Sequence, residues 1–154
     1  MIIRKTKPED AEAISRLHRQ TIKRVNSKDY SREQVEVWSK RSTPGWIKKI
    51  ITNPDVYYYV AVEKNNIVGF GDFSREDGLR GLYIASDWIN KGVGRKLVQK
   101  IEREARKLGI KELKLKSTLT AYEFYKKMGF TKTKRGRHTI GKQKLDIYHM
   151  KKKL

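Results

Sequence analysis

Leu82-Tyr83-Ile84-Ala85-Ser86-Asp87-Trp88-Ile89-Asn90-Lys91-Gly92-Val93-Gly94-Arg95-Lys96-Leu97 reads as a short apolar strand, a turn, and a helix that opens at Gly-Val-Gly. Val93, Leu97, Ile101, Ala105 and Leu108 form an apolar stripe at four- and three-residue steps, closed by Gly109, the period of an amphipathic helix with its stop signal. The charge at the helix start is the unusual part. A helix N-terminus carries unbonded N–H groups and a partial positive charge, and so favours Asp and Glu. Here the first turn carries Lys91, Arg95 and Lys96 and no acid. That arrangement costs stability unless an anion sits on the helix end, and the two glycines leave the amides open to one. The segment therefore predicts a phosphate or pyrophosphate ligand.

Two common phosphate motifs are excluded. A dinucleotide fingerprint needs a third glycine, and Leu97 stands three residues after Gly94. A phosphate-binding loop of the Gly-Lys-Ser/Thr kind is absent, because Gly141-Lys142 is followed by Gln143. Downstream lies a second segment, Thr118-Leu119-Thr120-Ala121-Tyr122-Glu123-Phe124-Tyr125-Lys126-Lys127-Met128-Gly129-Phe130. With Ile89-Asn90-Lys91-Gly92-Val93-Gly94 it resembles the paired signature of the GCN5-related N-acetyltransferase (GNAT) superfamily. That signature is Gln/Arg-x-x-Gly-x-Gly/Ala after a strand, then Asn-x-x-Ala-x-x-x-Tyr-x-x-x-Gly-Phe. Ile89 replaces the usual Gln or Arg, and Thr118 replaces the usual Asn.

The resemblance implies an α/β (α+β) fold with a central mixed, mostly antiparallel twisted sheet flanked by helices. It also implies an acetyl-CoA-dependent N-acetyltransferase acting on a primary amine, with acetyl-CoA as cosubstrate. The cofactor-binding residues it implies are the backbone of Leu82, Tyr83 and Ile84, the turn Asn90, Lys91, Gly92, Val93, Gly94 and Arg95, and Thr118. Tyr125 is the implied catalytic residue, donating a proton or a hydrogen bond to the departing thiolate. Acetyl transfer needs a held cofactor, a polarised carbonyl, a neutral amine and a proton for the thiolate. The base is left open among Asp72, Glu76, Asp77, Glu33, Glu36 and an ordered water, with His138 and His149 near the C-terminal strands. Glu33, Trp38 and Asp72 are the expected acceptor-side residues.

Composition bounds the alternatives. A chain of 154 residues suits a single acetyltransferase domain over 1–154. No apolar run is long enough to span a bilayer, and Met1-Ile2-Ile3-Arg4-Lys5 goes straight into strand-like sequence, so a cytoplasmic protein without a membrane partner is expected. With no cysteine there is no disulfide, thiolate ligand or cysteine nucleophile, and the three histidines are far apart, so no metal site is expected. The net charge of +20 is the footprint of polyanion binding or of a solvated basic surface. No nucleic-acid motif accompanies it. The expected partners are the amine acceptor (a small molecule or a protein), non-specific polyanions and a second copy in a homodimer. The same charge supports a competing reading, a nucleic-acid-binding or regulatory module that retains the fold without turnover. Like charge also argues against polyamine acceptors, unless the acids at Glu76-Asp77 reverse the field locally.

The rest of the chain alternates. A strand over 1–5 leads to a capping box with Thr6 as N-cap and Glu9 three residues on, then a helix burying Ala11, Ile14, Leu17, Thr21, Ile22 and Val25. His18 reads as a packed histidine beside that face. Ser31-Arg32-Glu33-Gln34 is a second capping box, and Thr43-Pro44 starts another short helix. Strands follow over 56–63, 67–73 and 79–85, then 110–116. A helix over 119–128 and strands over 130–134 and 144–150 complete the pattern. The segment 135–143 is predicted to be a mobile loop.

Overall fold

The computed structural model describes Met1–Leu154. Strand β1 (Ile2–Lys5) leads through a 3-10 turn at Pro8–Asp10 to helices α1 (Ala11–Arg24), α2 (Arg32–Arg41) and α3 (Pro44–Ile51). Strands β2 (Val56–Glu63), β3 (Asn66–Ser74) and β4 (Gly78–Ile84) follow, then α4 (Val93–Lys107), β5 (Glu112–Thr118), α5 (Tyr122–Lys127), β6 (Thr131–Ile140) and β7 (Gln143–Lys153). The sheet order is β1-β2-β3-β4-β5-β7-β6. Every pairing is antiparallel except β4 with β5, and α4 is the crossover that a parallel pair requires. This is the mixed, mostly antiparallel sheet with flanking helices that the motifs imply. No helix is long and apolar enough to cross a membrane.

Helices cover both faces of the sheet, which is why β2 reads Val-Tyr-Tyr-Tyr-Val-Ala-Val rather than alternating with polar residues. Tyr58, Val60 and Phe70 bury against α1 and α3, with Ile14, Leu17 and Ile47. Tyr59, Ala61, Leu113 and Leu115 bury on the other face with Val93, Leu97, Ile101 and Ala105 of α4. Gly69 and Gly71 let α4 settle directly on β3. A Cβ at Gly69 would lie 2.9 Å from Val93 Cγ1 and 3.2 Å from Leu97 Cδ1, and one at Gly71 would lie 3.1 Å from Ile101 Cδ1. The β2–β3 turn places Lys64 and Asn65 at φ 48° and 65°, the left-handed pair that matches the twist of a two-residue hairpin.

Three local expectations change. At the first capping box, Asp10 rather than Glu9 accepts the Lys7 amide, at 2.7 Å, and pairs with Arg4 at 2.8 Å. Thr6 instead donates its hydroxyl to the Tyr58 carbonyl. The helix predicted over 119–128 shortens to α5, because Thr118–Ala121 forms a turn held by Ala121 N–H to Thr118 Oγ1 (3.1 Å) and Leu119 N–H to Tyr30 Oη (2.9 Å). The predicted mobile loop 135–143 is a hairpin. Strand β6 continues to Ile140, Gly141 and Lys142 make the turn, and Gln143 pairs back with Ile140. Ile140 and Leu145 are buried under α2 with Val35 and Trp38, and Gln34 Nε2 donates to the Lys144 carbonyl. The capping box at Ser31 forms as expected, with Gln34 N–H to Ser31 Oγ at 3.1 Å and Ser31 N–H to Gln34 Oε1 at 2.8 Å.

Candidate active site

The site begins with one misfit residue. Along β3 and β4, Asp72 pairs with Gly81 but Phe73 pairs with Leu79, so Arg80 has no partner and forms a β-bulge. A bulge bends its strand. Leu79 opposite Leu115 is accordingly the only parallel pair between β4 and β5, and beyond it the two strands part. The opening is a two-sided cleft. One half, about 550 Å³, runs from the α4 turn to α5. The other, about 640 Å³, lies between α3 and the β6–β7 strands. Arg80, Gly81, Tyr83 and Lys116 line both halves.

The first half holds most of the expected cofactor residues. Ala85 N–H bonds the Val68 carbonyl, so by strand alternation the amides of Leu82 and Ile84 point away from β3 toward the opening. Thr21 Oγ1 donates to the Ile84 carbonyl at 3.0 Å. The Leu82 and Ile84 side chains face α4, and Tyr83 turns to the opposite face against Phe70 and His18. Gly92 adopts φ 86° with open space where a Cβ would be. Lys96 N–H is the first α4 amide bonded within the helix, to the Gly92 carbonyl, so the amides of Val93, Gly94 and Arg95 lack helical acceptors. No acid stands in the first turn. Asn26 Oδ1 and Thr120 Oγ1, on the walls of this half, are buried without any partner. Open amides, cations and orphaned polar atoms fit a polar phosphate-bearing ligand such as coenzyme A.

Some of these residues sit differently from the sequence expectation. Gly94 is buried, and a Cβ there would meet the Phe124 ring at 3.0 Å, so its lack of a side chain first serves the packing of α4 on α5. The Val93 side chain lies in the core, leaving only its amide for a ligand. Lys91 stands over the Trp88 ring at 5.3 Å and does not line the cavity. Asn90, Gly92, Gly94, Arg95 and Thr118 do line it, although the Thr118 hydroxyl is already engaged by the Ala121 amide.

Tyr125 is buried between Phe124 and Phe130, with ring centroids at 5.3 Å and 5.7 Å. It reaches the same half of the cleft. Burial pushes its phenol far above the ordinary tyrosine value, and the charges of Tyr83 and Asp72 add to that. It is a neutral donor at any working pH.

Asp72 lies on the other side of the opening, 5% exposed. Arg80 Nε stands 3.6 Å from its Oδ2, and the Gly81 amide also favours the ionised form. Burial outweighs both and lifts the carboxyl to about 7. Around it are His18, Trp46, Phe70 and Tyr83. His18 Nδ1 shares a hydrogen bond with Ser42 Oγ at 2.9 Å, and burial with the nearby Arg41 and Arg19 lowers the ring to about 3, so it stays neutral. His138 and His149 line this half, and both are held below the usual histidine value by burial and neighbouring cations.

Of the expected acceptor residues, only Asp72 lines this half. Glu33 is exposed on the first turn of α2, outside both halves. Trp38 is buried in the core under α2, edge-on to Tyr30 at 5.4 Å. Among the other possible bases, Glu36 and Glu76 lie outside the cleft, and Asp77 lines it while facing Arg80 at 3.9 Å. Sequence reading missed His18, Arg41, Trp46 and Arg80 on the acceptor side, and Thr21, Asn26 and Thr120 on the other. One signal was available: His18 and Thr21 fall on the apolar stripe of α1, where a polar residue must have a reason to be buried.

Fold and cleft together define an acyl-transfer architecture. Residues 26–154 match the family model described as an acetyltransferase (GNAT) domain, and the chain belongs to that family. A spermidine N(1)-acetyltransferase of Thermoplasma acidophilum is 27% identical over 139 residues, covering 83% of this chain and 86% of the relative. Among solved structures, a GCN5-related N-acetyltransferase from Rhodopseudomonas palustris superposes with a TM-score of 0.93 at 25% identity, covering 99% of this chain and 95% of that one. The PaiA N-acetyltransferase of Thermoplasma acidophilum, in complex with coenzyme A, gives 0.83 at 25% identity, covering 99% and 98%. The protein is an N-acetyltransferase that uses acetyl-CoA.

Proposed function

We propose that this enzyme acetylates the primary amine of a small acceptor that enters between α3 and the β6–β7 strands. In this reading Asp72 receives the proton that the nitrogen sheds as the amide forms. The observation that carries it is a buried carboxyl in the acceptor half, paired across the strands with Gly81 and 3.6 Å from Arg80, which line both half-clefts, and lifted by burial to about 7. A base with that value is half ionised near neutral pH, where both its readiness and its strength are useful.

The remaining roles follow from position. Acetyl-CoA supplies the thioester acyl group. The α4 amides, Arg95 and the open backbone at Gly92 hold its phosphates. The amides of Leu82 and Ile84 point into the opening and polarise an acyl carbonyl placed there. Tyr125 donates to the departing sulfur. A phenol that burial holds neutral gives up its proton fully only to a stronger base than a thiolate, so hydrogen bonding is its main contribution. Aromatic walls at Trp46, Phe70 and Tyr83 exclude water from the nitrogen.

The test is release of CoA thiol from acetyl-CoA across a panel of small primary amines, for the wild type and Asp72→Asn, from pH 5.5 to 9. The wild type is expected to gain kcat/KM through a step near pH 7. Asp72→Asn should lose that step and about 10²-fold or more of its rate. An unchanged profile in the variant removes Asp72 from proton transfer.

A further inference from the structure

The acceptor half of the cleft has an unbalanced charge. Its three carboxylates are each opposed by a cation: Asp72 and Asp77 face Arg80 at 3.6 Å and 3.9 Å, and Glu112 faces Lys151 at 3.8 Å. Arg41, Lys114, Lys116 and Lys134 line the same cavity and pair with no carboxylate. The three lysines are exposed and water can satisfy them. Arg41 is different.

Arg41 is the last residue of α2 and is half-buried. Its guanidinium carbon stands 4.8 Å from the centre of the Trp46 ring. Its Nε is sealed from solvent without any hydrogen-bond partner. Burial lowers its pKa, and no carboxylate works against that. The α2 C-terminus offers only a partial negative charge, and the Ser42 carbonyl just beyond it is already taken by Ser15 Oγ and Arg19. A half-buried guanidinium without counter-ion is costly unless a ligand supplies the anion. Its planar fork is shaped to take a carboxylate or phosphate on two parallel bonds.

We infer that the acceptor is an amphoteric small molecule, with a primary amine at one end and a carboxylate or phosphate at the other, and that Arg41 binds the anionic end. The inference rests on the acceptor-side reading above and deepens it. The aromatic floor of Trp46, Phe70 and Tyr83 takes the linking carbons, and the amine is left facing Asp72. A polyamine fits this half poorly, because its distal ammonium would meet Arg41, Lys116 and Lys134. The acceptor named for the 27% identical relative therefore does not carry over to this cavity.

The experiment compares matched acceptors of one chain length: 4-aminobutyrate, butylamine and 1,4-diaminobutane, with 3-aminopropyl phosphate to separate phosphate from carboxylate. Spermidine serves as the polycation. CoA release is followed at fixed pH in the wild type, Arg41→Gln and Arg41→Lys, with folding checked by circular dichroism. The wild type should prefer an acid-bearing amine over butylamine by at least tenfold in kcat/KM, mostly through KM, and should use diaminobutane and spermidine least. Arg41→Gln should bring the acid-to-butylamine ratio close to one, and Arg41→Lys should restore part of it. Preference for diaminobutane or spermidine in the wild type overturns the inference, as does a ratio that survives in Arg41→Gln. If no amine releases CoA, the acetylation reading fails by itself, and binding decides this one. 4-Acetamidobutyrate should then raise the Tm of wild type and not of Arg41→Gln, whereas equal shifts in both overturn the anion site.

Discussion

Replacing Asp72 with Asn should make the protein more stable as it makes the enzyme slower. Burial lifts the Asp72 carboxyl from 3.8 to about 7, about three pKa steps. At 1.36 kcal/mol per step, holding this group ionised in the folded state costs about 4 kcal/mol above pH 7. The sign follows from proton counting. Between pH 4 and 7 the folded chain keeps a proton that the unfolded chain has released, so the Asp72 contribution falls as pH rises through that window and is flat above it. Asn keeps an oxygen for the Gly81 amide and carries no charge, but its buried NH₂ recovers only part of its hydrogen bonding, at a cost of about 1–3 kcal/mol. A net gain of about 1–3 kcal/mol at pH 8 is expected, or about 3–8 °C in Tm for a chain of this size. The assay is thermal unfolding of both proteins from pH 4 to 9, read as the difference in Tm so that all other titrating groups cancel. The difference should grow with pH up to about 7 and then level off. A difference that is constant across the range refutes the assignment of a raised pKa to this residue.

Tyr125→Phe keeps the ring between Phe124 and Phe130 and removes only the hydroxyl. A fall of about 10-fold in kcat with CoA affinity unchanged is expected for hydrogen bonding to the departing sulfur, and 10²-fold or more would mark full proton transfer. Unchanged turnover with chemistry rate-limiting would leave Tyr125 as packing alone. Gly94→Val should damage two properties together, because its side chain enters the Phe124 ring. The melt should lose about 1–3 kcal/mol, and the CoA-induced Tm rise should shrink with it. In the wild type the Tm rise should fall from CoA to dephospho-CoA to pantetheine, and equal rises would refute the anion site at the α4 start.

The sequence was most legible where one pattern served one purpose. The α4 stripe from Val93 to Ala105 is buried on one side only, and its charge anomaly stood in plain view at Lys91, Arg95 and Lys96. The tail was harder. In Lys132–Lys144 the alternation that buries Ile140 and Leu145 under α2 is masked by basic residues on the solvent side, so a strand looked like a loop. Trp38 illustrates the opposite error. An aromatic residue near an expected pocket looked like a wall, but on α2 its spacing from Val35 sets it in the core with Leu145. Arg41 could not be read as a site residue, because what distinguishes it is a missing partner in three dimensions. Nor could the Asp72 value be read, since it depends on the depth of β3 between two helical layers.

The bulge at Arg80 also resets the strand's side-chain bookkeeping. In a regular strand with Arg80 paired, Leu79 and Leu82, three residues apart, would point to opposite faces of the sheet. With one residue looped out, Leu79, Leu82 and Ile84 all come to lie with the α4 layer, while Tyr83 keeps its place on the α1 side. The inserted residue thus works as a phase shift, joining two halves of β4 that are out of step by one. A deletion at this point would bring the halves back into step. With Arg80 removed, Leu79 and Leu82 would stand two positions apart, so Leu82 and Ile84 would stay with α4 and Tyr83 with α1, while the bend that parts β4 from β5 would be lost. The opening between β4 and β5 therefore depends on that one extra residue, whereas the apolar floor beneath α4 would survive its loss.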